Sequence, residues 1–340
     1  RSSQRPCRES HPKKGGGRKN ASCSQPGLIK ATKRELETQT AGSPVKEATI
    51  WTNMPLRQLV GRLEEKGFRI SPGTLSGILK HTLSLGRRKI DKRIPLGHSA
   101  DRAEQFDRLQ ELRRQYARRG WPVLSVDTKK KELLGKYFHD GKSWTNGSLH
   151  AFDHDFGSYS NGKAIPYGVY DTIRNQALVY LAEGSDTGEL AADALRRWWY
   201  RLGQHAYGTA GGILVLADCG GSNGYHVALY REQLHRVANV IGIPIRVAHL
   251  PPYCSKYNPI DHRLFCHLTR AIRGRLSETL RSMQTLFSKV TTTTGLRVIA
   301  EIARRSYQRG RKASQEFRND EPTLRDKLLV KYNYVLPITI

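Results

Sequence analysis

Three aspartates in this chain stand where a folded α/β protein would present them together. Asp127 closes the apolar run P-V-L-S-V-D, and Asp218 closes G-G-I-L-V-L-A-D. Asp261 lies within L-P-P-Y-C-S-K-Y-N-P-I-D-H-R-L-F at 250–265. The first two read as strand ends. The third follows a double proline and a turn, in the first turn of an amphipathic helix. Three carboxylates brought to one place by such elements form a seat for hard divalent cations. Magnesium takes oxygen ligands in near-octahedral geometry and keeps several waters, so a few carboxylates suffice. Two ions about 3.5–4 Å apart activate one oxygen and stabilise another in an in-line displacement at phosphorus. In that arrangement Asp127 would bridge two Mg²⁺ (or Mn²⁺) ions, and Asp218 and Asp261 would each complete one site. A single strand-end Asp is an ordinary turn former; the reading rests on three in order.

Neighbouring side chains have candidate roles of their own. Asn223 and His262 flank the second and third acids and are placed to orient ligands or phosphate from behind; capping or packing is the plainer role for the histidine. Lys129, Lys130 and Lys131 follow the first acid directly and are candidates for phosphate contact, with solvation on an edge strand as the alternative. Asp155 and Asp171 are acids of the same region for which loop capping is the simpler role. Trp198 and Trp199, at helical spacing beside Leu195, read as core. Gly220, Gly221 and Gly224 form a loop, but no Lys-Ser/Thr follows to make a phosphate cradle.

Composition narrows the substrate. The 340 residues hold 57 Lys plus Arg against 30 acids, a formal charge of +27. An excess of that size points to polyphosphates or to an anionic membrane. No run approaches the ~20 apolar residues of a membrane span, so double-stranded nucleic acid is the expected partner and a membrane is not. Five cysteines, with no C-x-x-C spacing, indicate neither a zinc module nor a disulfide framework and suit a reducing compartment. The chain starts at Arg1 rather than Met, as a piece of a longer reading frame would.

Elements to position these residues follow along the chain. Residues 1–48, rich in Gly, Lys and Arg without apolar periodicity, read as a disordered basic tail. Over 49–95, Leu56, Leu59, Val60 and Leu63 mark one helix that stops at Gly67. Ser71 and Pro72 then open a second helix, with Leu75, Ile78 and Leu79 as its apolar face. Helix, turn, helix and the basic L-G-R-R-K-I-D-K-R resemble a DNA-binding helix-turn-helix. Thr74, Ser76, Lys80 and His81 would face outward, with Arg87 and Arg88 in the arm. A connector helix fills 96–120 with Phe106, Leu109, Leu112 and Tyr116 as its stripe. From 121 to 285 strands alternate with helices: strands at 123–127, 165–173 and 176–183, a helix opened by a capping box at 186–189, a strand at 213–217, a helix at 225–241, a strand at 243–249 and the helix of Asp261. That order, and the place of each acid in it, is that of a ribonuclease H-like mixed five-stranded sheet flanked by helices. Residues 286–340 are left as a C-terminal extension.

Specific motifs extend the reading. S-V-D-T-K-K-K-E-L-L-G at 125–135, H-D-F at 154–156, G-K-A-I-P-Y-G-V-Y-D at 162–171 and R-R-W-W at 196–199 are joined by A-D-C-G-G-S-N-G-Y at 217–225, N-P-I-D-H-R-L-F at 258–265, T-T-T-T-G-L-R-V at 291–298 and Y-N-Y at 332–334. With these the chain resembles the DDE transposases of bacterial insertion sequences, specifically the ISAzo-thirteen family, a distant relative of the mariner group. The resemblance runs from the G-G-G-R-K beginning at Gly15 to the end. It implies that Asp127, Asp218 and Asp261 are catalytic, that two metal ions serve them, and that element ends are cut and their 3′-OH groups joined to target DNA. It also implies a homo-oligomer assembled on DNA in the bacterial cytoplasm, at the nucleoid. Family members typically carry Glu where this chain has Asp261 and begin with a further helix-turn-helix segment; mariner-type relatives work with three aspartates. A nuclease of the same fold without strand transfer, and an inactive or domesticated DNA-binding remnant, are the rival readings.

Overall fold

Apolar side chains three and four residues apart pull the first helices together. In the computed structural model, residues 21–37, 41–42, 50–52, 54–87 and 101–339 are described, and the chain divides into two units, Arg1–Arg93 and Ile94–Ile340. In the first unit, α1 (Leu28–Glu37), α2 (Leu56–Glu65) and α3 (Pro72–Gly77) bury Leu28, Leu36, Leu59, Leu63 and Leu75 against one another. Gly67 ends the turn after α2 at φ +83°, a conformation that glycine adopts without strain. Ser71 caps α3 by accepting the Thr74 N–H at 3.2 Å. Beyond α3 the helix continues through a wider turn at Ile78–Thr82.

The expectation of a structureless tail over 1–48 is corrected at α1. Leu28, Thr32 and Leu36 recur at four-residue spacing and are buried. Their single stripe is masked in the sequence by the Lys and Arg around it. Residues 1–20, 38–40 and 43–48 of that segment, together with Arg88, lie outside the described residues.

The second unit is a sheet between helices. α4 (Arg102–Arg118) leads into β1 (Val123–Thr128), followed by β2 (Lys163–Asp171) and β3 (Gln176–Ala182). α5 (Gly188–Trp198), β4 (Ile213–Ala217), α6 (Ala228–Ile241) and β5 (Ile245–His249) come next. α7 (Cys266–Ile272) and α8 (Leu280–Ser288) precede β6 (Arg297–Ile302), β7 (Leu324–Arg325) and β8 (Asn333–Leu336). The sheet order is β7-β8-β5-β4-β1-β2-β3-β6, with a short strand at Glu132–Leu133 added to β2. β2 runs antiparallel to β1 and β3, while β4 and β5 run parallel to β1. The central five, ordered 3-2-1-4-5 with the second reversed, make this a ribonuclease H-like sheet.

The sheet holds nine strands among the described residues, where five were expected. The difference lies in the supposed C-terminal extension. β6 pairs in parallel with β3 and β8 pairs antiparallel with β5, so residues 286–340 cover both edges that a five-stranded sheet would leave open. The expected connector is likewise part of this unit: Leu109, Leu112 and Tyr116 of α4 pack on Val123, Leu214, Leu216 and Ala248. Thr187, rather than a 186–189 capping box, caps α5 by accepting the Leu190 N–H. Among the described residues no helix is long and apolar enough to cross a membrane.

Candidate active site

β1 and β4 run parallel and side by side, so Asp127 and Asp218 leave the sheet at the same end. Ser125 pairs with Leu216, two residues before each acid. Asp261 arrives from the chain beyond β5, and Gly168 explains how closely it can approach. Gly168 pairs directly with Asp127 across the β1–β2 ladder. A Cβ there would stand 2.7 Å from both Ile260 Cδ1 and Phe265 Cε1, the buried side chains on either side of Asp261. Only a residue without a side chain lets that turn settle on the sheet beside Asp127.

The acids share an electrostatic field. Burial, then the charge of Asp218, push Asp127 up to about 8; the Thr128 N–H, donating to its Oδ1 at 2.7 Å, works the other way. Asp261 and Asp186 raise Asp127 further. Burial also raises Asp218, to about 6, against the amide of Asn258 and with the help of Asp261. Asp261 is raised by burial and lowered by His262. Like charges in a half-buried pocket disfavour one another's ionised form, and a bound cation would offset that repulsion. The donor set fits a hard divalent ion. Among the described residues, however, no group of three or more His, Cys, Asp or Glu side chains forms a ready metal-holding cluster; the acids are coupled by charge without being closed into a coordination shell.

Buried polar groups hold the acids in place. Asn258 Nδ2 donates to Asp218 Oδ1 at 3.0 Å, and its Oδ1 accepts the Ser125 hydroxyl. Ser125 Oγ in turn accepts the Ile260 N–H at 3.0 Å. One chain of bonds thus joins β1, the residue after β4 and the turn that carries Asp261. His249 is fully buried, and burial pushes its pKa down to about 4. Its neutral ring contacts the Asp218 carbonyl through Nδ1 at 2.9 Å and the Tyr334 hydroxyl through Nε2 at 3.2 Å, which assigns the proton to Nδ1. Asp186 accepts from the hydroxyls of Thr128 (3.0 Å) and Ser222 (2.7 Å).

Other sequence-derived candidates land elsewhere. Asn223 is buried but accepts the Tyr167 hydroxyl at 3.0 Å, so the bond to an acid belongs to Asn258 instead. His262 is exposed, with Nε2 2.6 Å from the Lys256 carbonyl. Lys129 is corrected as a phosphate contact: it is 5% exposed and ion-paired with Glu132. Lys130 is exposed and Lys131 partly so. Asp171 caps its loop, accepting the N–H groups of Ile173 and Arg174 and the Tyr207 hydroxyl. Trp198 and Trp199 are core. In the first unit Thr74, Lys80, His81 and Arg87 are exposed and Ser76 is half-buried. Sequence reasoning passed over Asn258, Ser125 and Gly168, although all three lie inside the quoted motifs. A cleft opens beside Asp261, walled by Thr128, Lys130, Phe138, His139 and Arg273.

Strand order and the three acids define a ribonuclease H-like domain with an acidic end. The family model described as the Rhodopirellula transposase DDE domain matches residues 33–337, and the chain belongs to that family of transposases, enzymes of the polynucleotidyl-transfer type. None of the curated proteins matches. Similar solved structures include the Mos1 transposase paired-end complex with left transposon end, 15% identical with a TM-score of 0.42 over 84% of this chain and 75% of that one. The Mos1 strand transfer complex is 14% identical, with a TM-score of 0.41 over 84% and 75%. The mariner Mos1 paired end complex with Mg is 14% identical, with a TM-score of 0.40 over 82% and 72%. At that distance the fold assignment rests on the strand order itself.

Proposed function

We propose that the chain cuts the ends of an insertion element and joins the freed 3′-OH ends to target DNA, using two Mg²⁺ or Mn²⁺ ions held by Asp127, Asp218 and Asp261. One observation supports this above the others: three acids from three separate elements are each raised by burial at one end of the sheet, with Asp218 and Asp261 adding to Asp127 and Asp261 adding to Asp218. Bound there, the ions would supply charge stabilisation for the attacking and leaving oxygens of a phosphodiester. The chain's own residues prepare the place. Asn258 aims the Asp218 carboxylate, Ser125 fixes Asn258, and Gly168 admits the Asp261 turn. Thr74, Ser76, Lys80, His81 and Arg87 of the first unit are the proposed duplex contacts, with Lys130 and Lys131 near the acids. Assembly of two or more copies on DNA belongs to the same proposal.

The competing reading, a DNA-binding remnant without catalysis, is favoured by the open acid cluster and by Asp at position 261. Mg²⁺-dependent nicking of a duplex separates the two, and a strand-transfer assay separates transposition from simple nuclease action. Asp127→Ala should abolish nicking and leave duplex binding intact, because removing an acid cannot weaken attraction for phosphate. Unchanged Mg²⁺-dependent nicking in that variant would falsify the mechanism.

A further inference from the structure

The face of the sheet opposite the acids carries a second concentration of like charge. Across the ladder, Asp127, Gly168, Val179 and Ala300 stand side by side on one face, while Thr128, Tyr167, Tyr180 and Glu301 share the other. Glu301 is therefore at the same end of the sheet as Asp127, three strand spacings away, roughly 14 Å. Around it a cleft is walled by Arg196 and Arg197 of α5 and by Arg304 and Arg305 just past β6, with Arg201 alongside.

Two carboxylates hold this array. Glu301 takes Arg197 on one oxygen and Arg201 on the other, each through Nε. Asp193 takes Arg305 at 2.8 Å and Arg196 at 3.4 Å and also accepts the Tyr307 hydroxyl at 2.8 Å. The carboxylates are the inner members, 13% and 17% exposed, against 38–51% for the four arginines they hold. Arg304 is exposed and has no ion pair among the described residues. Five guanidiniums thus stand around two carboxylates, which pair with four of them. At Arg197 and Arg201, pairing through Nε fixes a planar fork while leaving the terminal amino groups for a phosphate oxygen, whereas Arg196 and Arg305 each spend one terminal amino group on Asp193.

We infer that this cleft binds the phosphodiester backbone of the DNA on which the acids act. The inference rests on the proposed phosphodiester chemistry at Asp127. Phosphates along one strand rise about 3.4 Å apart, so about four nucleotides match the three strand spacings between Asp127 and Glu301, and a strand reaching the cleft on the other face needs more than that. A backbone contact carries no sequence preference, so element-end and target DNA are bound alike.

The test is fluorescence anisotropy of the full chain in EDTA, titrated with a mixed-sequence duplex and with one taken from the DNA flanking the gene, over a salt series. Arg201→Ala with Arg304→Ala removes two cations and leaves Glu301 paired with Arg197. The slope of log affinity against log salt should become shallower by about 0.9 for each lost contact, with affinity down about tenfold on both duplexes. Arg304→Ala alone unpairs no carboxylate and should give half that slope change, which keeps the test valid if the double variant misfolds. Arg113→Ala with Arg118→Ala, on the exposed face of α4, is the control for general charge. An unchanged slope, or an equal change in the control, overturns the inference. So does loss of poly-glutamate binding with the DNA slope intact, which would mark the cleft as a site for an acidic protein. Binding in EDTA reads the cleft alone, whereas Mg²⁺-dependent nicking by the wild type reads the acids, so the two can fail separately.

Discussion

The acidic end and the arginine cleft are two answers to one electrostatic problem. Each gathers like charges from separate elements at the same end of the sheet. In the cleft, two inner carboxylates offset part of the charge and fix the geometry of the rest. At the acids the opposition is slighter: a backbone N–H, an amide and the field of His262 work against the raised pKa values. A like-charge cluster offset from within is ready to hold a partner. One left without an offset needs a ligand to complete it.

The comparison can be broken most severely at Gly168. Gly168→Val places a branched side chain where even a Cβ would stand 2.7 Å from Ile260 and Phe265. It should cost about 1–3 kcal/mol by overpacking and remove nicking, while the salt dependence of DNA binding at the distant cleft stays as it was. Chemical denaturation and the anisotropy series measure the two effects; a loss of both together would mean that the two sites are not separately built.

Asn258→Ala tests the support of the acids more gently. It removes the amide that lowers Asp218, so metal-dependent nicking should fall about 10–100-fold, the usual cost of losing a group that orients a ligand. The pH at which activity sets in should rise. A pH–rate profile identical to wild type would mean that Asn258 only packs.

Thermal stability reads the missing offset directly. Asp127 has an unfolded-state pKa near 3.8 and a folded value of about 8, so the folded form holds a proton the unfolded form has lost. The stability this brings is complete below about pH 4 and disappears as pH rises through 8. In EDTA, Asp127→Asn should therefore be more stable than wild type at pH 9, by up to a few kcal/mol at ~1.4 kcal/mol per pKa unit, and nearly equal to it at pH 4. Mg²⁺ should stabilise the wild type more at pH 8.5 than at pH 6, because protons compete with the ion. A pH-independent difference between the proteins would show that Asp127 is ionised throughout.

The smallest expected effect is at position 261. Asp261→Glu extends the acid by one C–C bond, ~1.5 Å, in a cluster that is not closed. Apparent Mg²⁺ affinity, read from nicking against metal concentration, should rise modestly. A fall would show a pocket adapted to the shorter acid.

Local chemistry made much of this legible without coordinates. Asp127 and Asp218 follow buried apolar runs, Asp261 opens a helix after a proline-led turn, and Ser71 caps its helix, because those signals lie within a few residues of one another. The ribonuclease H-like order was readable from alternating periodicities. What tertiary structure decided depends on residues far apart in the chain. The role of Asn258 depends on a strand some forty residues upstream, and the requirement for glycine at 168 depends on a helix it meets only in the folded domain. The two-residue β7 and four-residue β8 are too short to announce themselves, so the extension's place at the sheet edges appears only when the ladder forms. Lys129 looked like a phosphate contact by composition and became an inner ion pair because the turn after β1 folds it back on Glu132. The arginine cleft had no sequence signature, since α5 and the segment past β6 meet only across the sheet edge.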